Sequence, residues 1–364
     1  LLPLSPRLTE AEHARVVAEV EPMIDLDDPG LLTQTEADLP LLGEHDMDDI
    51  ACRVLTSGST GAPKPVALSF GNFLWNAVGS GFNIGVEPTD RWLCCVPLSH
   101  IAGLGIFMRS VIYGTTAVLH DGFDVDRVGA ALERDGITQV SLVATMLARL
   151  LEAGVDLSGP RAILVGGGPV PEEPLEEALA KGATVVQTYG LTETCSQVTT
   201  LAPADARRKL GSAGRPLLTT HLRIQEGEIL VQGPTVAPGS ADADGWLHTG
   251  DLGHIDEEGF LYVRDRIDDM IVSGGENVVP AEVEEVLLRH PQVAEAAVVG
   301  REDPEWQQAV TAVVVLESDA DATPDDLRRH CAESLAGFKV PKRVELASAL
   351  PRTPSGKVMR RALR

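Results

Sequence analysis

Residues 56–64 read Thr-Ser-Gly-Ser-Thr-Gly-Ala-Pro-Lys, and they follow an apolar segment ending at Leu55 that is predicted to be a β-strand. Hydroxyl groups and backbone N–H groups without bulky neighbours can bind a polyphosphate, with Lys64 as a mobile positive charge. The stretch is not a Walker A loop, because that pattern needs Ser or Thr after the lysine and this chain has Pro65. On its own it fits a phosphate loop and a flexible surface turn equally well.

The composition excludes two classes of partner. Lys and Arg number 30 and Asp and Glu number 54, so the formal net charge of the 364-residue chain is −24. A surface this acidic repels nucleic acid and anionic lipid, so neither is expected to bind. No apolar run approaches the ~20 residues of a membrane-spanning helix, and no signal-peptide pattern is present, so no membrane anchor is expected. The five cysteines lack a Cys-x-x-Cys pair, which predicts reduced, mostly buried thiols in a cytoplasmic enzyme.

In the middle of the chain, apolar segments of strand and helix length alternate, which predicts a parallel α/β sheet. Ligands of such sheets bind at the carboxyl ends of the strands. Three predicted strands, ending at Leu55, Val165 and Gln187, run into small polar loops that contain glycine. Two of these loops are Gly166–Gly168 and Thr188–Glu193. Their clustering favours a binding site at this edge of the sheet.

The pattern changes twice in the second half of the chain. Short strands with glycine turns over residues 215–263 predict a small β-rich subdomain, in which a strand at Trp246–Leu247 is followed by a turn at His248–Asp251. The charged segment Arg264–Asp269 is predicted to be a linker, and a compact α+β unit is expected after it. We therefore expect a large domain over residues 1–266 and a small C-terminal domain over residues 267–364.

Two polar residues stand in unusual surroundings. His100 lies between apolar segments, where it either contributes to a site or simply caps the next helix. Lys357 ends the Pro351-Arg-Thr-Pro-Ser-Gly-Lys loop, within a C-terminal stretch that is basic although the chain is acidic. That stretch fits a solvated basic tail. A lysine held on a Pro/Gly loop also suits a negative charge that develops on a phosphate.

These motifs, in this order along essentially the whole chain, resemble the adenylate-forming acyl-CoA synthetases, which share a fold with firefly luciferase and the adenylation domains of peptide synthetases. The segments that carry the resemblance are Thr56–Lys64, Thr188–Glu193, Trp246–Asp251, Arg266–Glu282 and Pro351–Lys357. The resemblance implies an α/β fold: a large N-terminal domain with parallel α/β sheets and a small β subdomain, then a small, mobile α+β C-terminal domain. It places the hinge of that domain near Asp268.

The resemblance also implies a site for ATP and Mg²⁺. The phosphate loop would consist of Thr56, Ser57, Gly58, Ser59, Thr60, Gly61 and Lys64. The walls around adenine would be formed by Gly166, Gly167, Gly168, Thr188, Tyr189 and Gly190, with Tyr189 stacked on the base. Thr192 would contact phosphate, and Glu193 would ligate magnesium, for which a carboxylate oxygen is suitable. Asp251 would accept hydrogen bonds from the ribose hydroxyls, and Arg266 would contact the ribose and phosphate side.

For catalysis, the resemblance assigns Lys357 and Thr192 to the first half-reaction, in which a small-molecule carboxylic acid attacks the α-phosphorus of ATP and forms an acyl-adenylate. His100 would lie beside the substrate carboxylate. After the small domain turns about its hinge, Gly274 and Gly275 would line the path of coenzyme A, whose thiol then displaces AMP. Positioning and electrostatic stabilisation would supply most of the catalysis.

Within the family, the chain looks most like the short o-succinylbenzoate–CoA ligases of menaquinone biosynthesis. The elements expected to line the acyl pocket contain no Lys or Arg for the second carboxylate of that substrate, and offer only hydroxyl and amide groups: Ser99, Thr145, Thr194, Ser196 and Gln197. The alternatives are an aryl- or fatty-acid–CoA ligase and an adenylation domain that loads a carrier protein. A truncated nucleotide-binding protein without activity is an alternative from a different class.

Three features depart from the family's pattern. Asp265 stands where glycine is usual, and we expect it to be exposed and of little consequence. Ala144 replaces a common proline at a predicted pocket wall. The phosphate loop starts near residue 56, earlier than is usual, so the large domain is expected to be abbreviated at its N-terminus. The oligomeric state is left open, with a homodimer as one alternative.

Overall fold

The computed structural model describes residues 2–4, 10–20, 44–57, 63–168, 170–352 and 358–364. Its first elements are helix α1 (Glu10–Val20) and an antiparallel hairpin of strands β1 (Ile50–Ser57) and β2 (Pro63–Ser69). The strand predicted to end at Leu55 therefore exists, but it belongs to this two-stranded sheet. Placing it with the strands of the parallel sheet is wrong, because the few residues after it allow only an antiparallel return to β2.

The central sheet has seven strands. The strands are β3 (Arg91–Cys94), β4 (Thr116–Leu119), β5 (Gln139–Leu142), β6 (Ala162–Val165), β7 (Val185–Tyr189), β8 (Thr199–Thr200) and β9 (Arg215–Pro216). The helices around them are α2 (Phe70–Ile84), α3 (Ile101–Tyr113), α4 (Val125–Arg134), α5 (Ala144–Glu152) and α6 (Glu172–Ala180). The spatial order is β4-β3-β5-β6-β7-β8-β9. The strands from β4 to β7 pair in parallel, as predicted, and β8 and β9 add antiparallel.

Both faces of this sheet are buried, which explains why its strands read as continuous apolar runs. Leu93, Val140 and Ile163 face one side and pack in the cluster that includes α4, α5 and α6. Their neighbours Trp92 and Leu164 face the opposite side, in the cluster that includes residues of α2 and α3. Because side chains alternate between faces, each strand contributes to two cores. The carboxyl ends of β6 and β7 are thereby held side by side.

A four-stranded antiparallel sheet confirms the predicted β-rich subdomain. Its strands are β10 (His221–Gln225), β11 (Glu228–Gln232), β12 (Leu247–Ile255) and β13 (Leu261–Arg266). The turn predicted at His248–Asp251 is wrong, because β12 runs through this segment. Gly250 adopts φ +70° there, and pairing with β13 begins at Asp251 and continues to Ile255.

The C-terminal part is an α+β unit, as predicted. Its strands are β14 (Ile271–Ser273), β15 (Glu276–Val278), β16 (Val293–Asp303), β17 (Gln307–Leu316) and β18 (Arg343–Leu346), and its helices are α7 (Pro280–Leu288) and α8 (Pro324–Ser334). The strand order is β15-β14-β17-β16, and β18 pairs in parallel with residues 311–314 of β17. The predicted linker Arg264–Asp269 is the end of β13 followed by a 3₁₀ turn. Across the described ranges, no helix is both long and apolar enough to cross a membrane.

Candidate active site

The hairpin of β1 and β2 presents the two ends of the expected phosphate loop. Thr56 lies opposite Lys64 in the ladder, and its hydroxyl donates a hydrogen bond to the Lys64 carbonyl oxygen over 3.2 Å. Lys64 is exposed, so its ammonium group is accessible to an anionic ligand. Ser57 is the last residue of β1. The other predicted members of this loop lie outside the described residues: Gly58, Ser59, Thr60 and Gly61.

The loop after β7 brings Thr192 and Glu193 next to this hairpin. Cys195, in the same loop, packs with Val54 of β1 in one buried cluster. The loop is fixed by a hydrogen bond in which Ala237 N–H donates to the Glu193 carbonyl oxygen over 2.8 Å. Within the described ranges, the Thr192 hydroxyl and the Glu193 carboxylate make no hydrogen bond or ion pair. Both groups are therefore available to bind a ligand.

Glu193 fits a magnesium ion held mainly by substrate phosphates. Mg²⁺ keeps several waters in protein sites and typically takes only one or two carboxylates from the protein. Searched over the described part of the chain, the structure has no group of three or more His, Cys, Asp or Glu side chains that could hold a metal ion by themselves. The Glu193 carboxylate beside the β1–β2 hairpin matches a magnesium ion that takes one carboxylate from the protein and its other ligands from phosphates and water.

Asp251 connects Tyr189 and Arg266. Its Oδ2 accepts a hydrogen bond from the Tyr189 hydroxyl over 2.8 Å, and its Oδ1 accepts one from Arg266 Nε over 2.7 Å. Burial and the Asp251 charge raise the pKa of Tyr189 well above its ordinary value, so this hydroxyl stays a donor at neutral pH. Burial lowers the pKa of Arg266, but Asp251 outweighs that effect and the net pKa is raised. Because each carboxylate oxygen has a further lone pair, Asp251 can still accept from a ribose.

The loops predicted to surround adenine touch each other. A Cβ at Gly166 would lie 2.6 Å from the Thr188 carbonyl oxygen, so the loop after β6 approaches the end of β7 as closely as backbone allows. A Cβ at Gly190 would lie 1.5 Å from the Ser196 carbonyl oxygen, so only glycine fits there. The structure thus places Gly166 against Thr188 and Gly190 against Ser196, with Gly167 and Gly168 following Gly166 in the chain and Tyr189 between Thr188 and Gly190.

His100 does not cap the helix that follows it. It occupies the N-cap position of α3, but its side chain makes no capping hydrogen bond. Its Nε2 atom is buried and has no hydrogen-bond partner among the described residues. Burial lowers the pKa of His100, so the imidazole is neutral at neutral pH. An unpartnered ring nitrogen beside the predicted acyl pocket is consistent with contact to a substrate.

The glycines predicted to line the coenzyme A path lie in the C-terminal unit. Gly274 adopts φ +62° in the turn between β14 and β15, and its N–H donates to the Trp306 carbonyl oxygen over 2.9 Å. A Cβ at Gly274 would meet the Trp306 ring at 3.0 Å, whereas Gly275 faces open space. Among the described residues, no hydrogen bond or ion pair joins the Gly274–Gly275 turn to Asp251. Lys357, the predicted catalytic lysine, lies outside those ranges.

Asp265 is buried, so the expectation of an exposed residue is wrong. Its side chain is 3% exposed and lies 3.6 Å from Arg360 Nη1. Its Oδ2 accepts a hydrogen bond from Ala281 N–H, at the start of α7, over 2.9 Å. Arg360 also contacts Glu284 at 2.7 Å and Asp269 at 3.1 Å. Burial raises the pKa of Asp265 and of Glu284, with Arg360 opposing the shift in both cases. Water is excluded because β13, α7 and the C-terminal segment meet at this point.

Sequence reasoning missed Arg109, a buried charge in α3. The residue is 3% exposed, its Nη1 donates to Asn76 Oδ1 over 2.7 Å, and its guanidinium lies 4.9 Å from the centre of the Trp92 ring. Burial lowers the pKa of Arg109. The available signal was a lone basic residue in an otherwise apolar helix, Ile101–Tyr113.

The cysteines are all free and buried, which confirms the predicted reduced thiols. Burial raises the pKa of Cys52, Cys94 and Cys331 to about 11 and that of Cys95 to about 12. Burial also raises the pKa of Cys195 well above its ordinary value. None of these thiols is therefore appreciably ionised at neutral pH.

Comparison with known proteins gives matches along most of the chain. Residues 2–240 match the AMP-binding enzyme family, and residues 282–357 match the AMP-binding enzyme C-terminal domain. The 2-succinylbenzoate–CoA ligase of Bacillus mycoides (strain KBAB4) is 45% identical over 343 residues, which cover 88% of this chain and 71% of the relative.

Solved structures of o-succinylbenzoate CoA synthetase from Bacillus subtilis are similar as well. The complex with the acyl-adenylate intermediate OSB-AMP is 46% identical, with a TM-score of 0.81, over 88% of this chain and 70% of that one. The complex with ATP and magnesium ion is 45% identical, with a TM-score of 0.80, over 87% and 70%. A double variant bound with the product analogue OSB-NCoA is 46% identical over 88% and 70%, but its TM-score is 0.60.

Asp251→Asn should weaken ATP binding. The amide removes the charge partner of Arg266 and cannot accept from Tyr189, Arg266 and a ribose together. Hydrogen bonds to a charged group contribute about 1.5–3 kcal/mol, so we expect the Kd for ATP to rise roughly tenfold or more. Titration calorimetry measures this, with the exposed Asp244→Asn variant of the same subdomain as control. An unchanged Kd in a folded Asp251→Asn protein would contradict the assigned role.

Proposed function

The chain belongs to the AMP-binding enzyme family, and we propose that it is an ATP-dependent ligase that converts o-succinylbenzoate to o-succinylbenzoyl-CoA through an acyl-adenylate. The observation that carries this function is one assembled site: the phosphate hairpin, the uncommitted Glu193 carboxylate beside it, and the Asp251 contact with Tyr189 and Arg266. The two relatives named for this acid, at 45% and 46% identity, support the choice of substrate. The reaction is a step of menaquinone biosynthesis.

In the first half-reaction, an oxygen of the substrate carboxylate attacks the α-phosphorus of ATP. A bond forms between this carboxylate oxygen and the α-phosphorus. The bond from the α-phosphorus to the oxygen that it shares with the β-phosphorus breaks, and pyrophosphate leaves. Mg²⁺ supplies positive charge to the phosphates when it is bound at Glu193. Lys64, Thr192 and Lys357 stabilise the negative charge that develops. His100, neutral because its pKa is lowered by burial, adds no charge beside the carboxylate.

In the second half-reaction, the thiol sulfur of coenzyme A attacks the carbonyl carbon of the acyl-adenylate. A carbon–sulfur bond forms, the thiol proton is released, the carbon–oxygen bond to the phosphate breaks, and AMP leaves. Gly274 and Gly275 form the turn that approaches the pantetheine chain, and the open space at Gly275 leaves room for it. Tyr189, Asp251 and Arg266 hold the adenosine part through both steps.

We further propose that the C-terminal domain turns about Asp268 between the half-reactions. Two structures of the Bacillus subtilis relative support this, because they match at the same identity and coverage but with TM-scores of 0.81 and 0.60. Because identity to this chain and coverage are the same in both, a different arrangement of the domains accounts for the lower TM-score in this proposal. The present structure is closer to the adenylate complex. Three statements stay predictions: the domain limits 1–266 and 267–364, the homodimer, and the cytoplasmic location.

The substrate is tested by comparing kcat/KM for o-succinylbenzoate, benzoate and a medium-chain fatty acid in a pyrophosphate-release assay. We expect o-succinylbenzoate to be preferred about a hundredfold or more, because the other acids leave polar groups of the pocket unpaired. Free coenzyme A should accept the acyl group, whereas a strict need for a carrier protein would indicate a carrier-loading domain. Preference for another acid would overturn the substrate alone. Absence of ATP–pyrophosphate exchange with every acid would indicate a nucleotide-binding protein without activity.

Lys357→Ala should separate the two half-reactions. Adenylation should fall about a hundredfold or more, the scale for loss of one preorganised charge contact. Transfer from a pre-made acyl-adenylate to coenzyme A should be preserved, because the domain turn removes Lys357 from the site. The exposed Lys181→Ala variant serves as control. Equal losses in both steps would be incompatible with this assignment.

Asp265→Asn should shift the balance between the domain arrangements. Asp265 precedes the predicted hinge, whereas its partners Ala281 and Arg360 follow it, so both contacts belong to the arrangement present here. The amide keeps the Ala281 contact and removes the charge facing Arg360. We expect adenylation to fall roughly tenfold, from the loss of one buried charged contact, with no loss in thioester formation from pre-made adenylate.

The matched control is Arg361→Met, which removes an exposed charge next to Arg360. Rapid-quench measurement of each half-reaction decides the question. If thioester formation falls as much as adenylation, Asp265 contributes to stability and not to the domain arrangement.

A further inference from the structure

Asn72, in the first turn of α2, has a buried side chain whose oxygen and both N–H groups are hydrogen-bonded. Its Oδ1 accepts from Ser69 N–H over 2.9 Å, and its backbone N–H donates to Ser69 Oγ over 3.1 Å, so the two residues cap α2 at the end of β2. Its Nδ2 donates to the carbonyl oxygens of Pro234 and Val236 over 2.8 and 3.1 Å. The side chain thus ties the end of β2 to a segment 162 residues further along the chain.

The segment that Asn72 holds continues directly into the contact with the Glu193 loop. Ala237 N–H donates to the Glu193 carbonyl oxygen over 2.8 Å, one residue after the Val236 carbonyl that Asn72 binds. Ala237 is 2% exposed and packs in the same buried cluster as Cys195. A series of hydrogen bonds therefore runs from the end of the β1–β2 hairpin, through Asn72 and Ala237, to the backbone of Glu193.

The Glu193 loop depends on such outside contacts because its own backbone is strained. Cys195 and Ser196 have φ angles of +53° and +94°, which residues with a side chain rarely adopt. The Thr194 hydroxyl bonds only to backbone groups within the loop. Strained residues persist where the surrounding structure fixes them. The position of Glu193 relative to the hairpin is therefore set by contacts from outside the loop, the Ala237 hydrogen bond among them.

Under the proposed function, the two parts that Asn72 joins bind the same part of ATP. The hairpin presents Lys64 to the phosphates, and Glu193 binds the magnesium ion that these phosphates carry. Mg²⁺ demands near-ideal octahedral geometry with ligands at about 2.0–2.1 Å, so a displaced carboxylate loses much of its contact with the ion. Apolar packing is non-directional and does not fix a position to that accuracy, whereas hydrogen bonds have defined distances and angles.

We propose that Asn72 is a positioning residue, which holds the Glu193 carboxylate at the distance from the β1–β2 hairpin that the magnesium complex of ATP requires. This inference rests on the proposed function and assigns a role to a residue that acts through Glu193 and not on the nucleotide itself. The two hydrogen bonds of Nδ2 perform this role, and the cap of α2 is a separate role of the same residue. Removal of the amide should therefore weaken the binding of ATP with magnesium and spare the binding of ATP alone.

The test compares the Kd for ATP in MgCl2 and in EDTA by titration calorimetry. Asn72→Leu is neutral and close in shape, but it leaves the Pro234 and Val236 carbonyls without their donor. The wild-type protein should bind ATP about tenfold or more tightly with magnesium, the scale of one contact to a charged group. Asn72→Leu should lose most of this magnesium factor, while its Kd in EDTA stays within a few-fold of wild type.

Two controls separate the proposed role from other effects on α2. Ser69→Ala removes the capping oxygen and keeps the two Nδ2 hydrogen bonds of Asn72. Asn83→Leu removes a second asparagine of the same helix, whose Nδ2 donates to the Thr200 carbonyl oxygen over 3.2 Å and so connects α2 to the central sheet. Both variants should keep the magnesium factor of the wild-type protein.

Glu193→Gln provides a further readout that a merely structural role would not change. This variant should itself lose the magnesium factor, and adding Asn72→Leu to it should cause no further loss, because both substitutions act on one contact. If Asn72→Leu does not fold, Asn72→Ser is compared in the same way. Serine also lacks the two N–H donors, and its smaller side chain leaves room for a water at the two carbonyls.

Three results would overturn the inference. Equal losses of ATP affinity in MgCl2 and in EDTA would make Asn72 a structural residue. An unchanged magnesium factor in a folded Asn72 variant, or a wild-type protein without such a factor, would leave nothing for Asn72 to position. Absence of ATP–pyrophosphate exchange with every acid, while the magnesium factor is intact, would instead overturn the proposed function alone.

Discussion

One buried carboxylate, Asp251, connects the β subdomain with the parallel sheet. It lies on β12, and it accepts hydrogen bonds from Tyr189 at the end of the parallel sheet and from Arg266 on the paired strand β13. At 7% exposure, this charge would be costly to bury without those donors. The end of β7 and the end of β13 are therefore positioned by the same contact. Under the proposed function, a ribose bound at Asp251 would lie beside Arg266, the residue that leads into the 3₁₀ turn Ile267–Asp269.

The buried charges divide into two kinds. Asp90 and its partners complete one another and join the strands of the parallel sheet at the end opposite the site. Asp265 accepts from Arg266 N–H in its own strand, but its contacts with Ala281 and Arg360 require α7 and the C-terminal segment to stay against it. Arg109 contacts the neutral Asn76 and Trp92 side chains and has no ion pair among the described residues. Partners within the fold do not by themselves separate structural charges from functional ones, because Asp251 is partnered by Tyr189 and Arg266 and is also the proposed ribose acceptor.

Local pattern was sufficient for most elements and failed where distant residues decide the conformation. The strand predicted to end at Val165 does end there, because the glycines that follow it are a strong local signal. The turn predicted around Gly250 is an irregular part of β12, where Gly250 keeps a φ of +70° between His248 and Leu252, which both pair with β11. Motif order predicts that Gly167, Tyr189 and Asp251 belong to one site, and the structure joins Tyr189 to Asp251 by a hydrogen bond. The burial of Asp265 and Arg109 was not predictable, because it depends on Arg360 and Asn76, far away in the chain.

The state of the cysteines has a consequence for the fate of the intermediate. An acyl-adenylate is an activated acyl donor, and a thiolate is a strong acceptor for it. Every cysteine of this chain is buried with its pKa raised by that burial, so the protein itself offers almost no thiolate at neutral pH. Self-acylation is thereby suppressed, even though Cys195 lies in the same loop as Glu193. The activated acyl group is preserved for a thiol that arrives from solution.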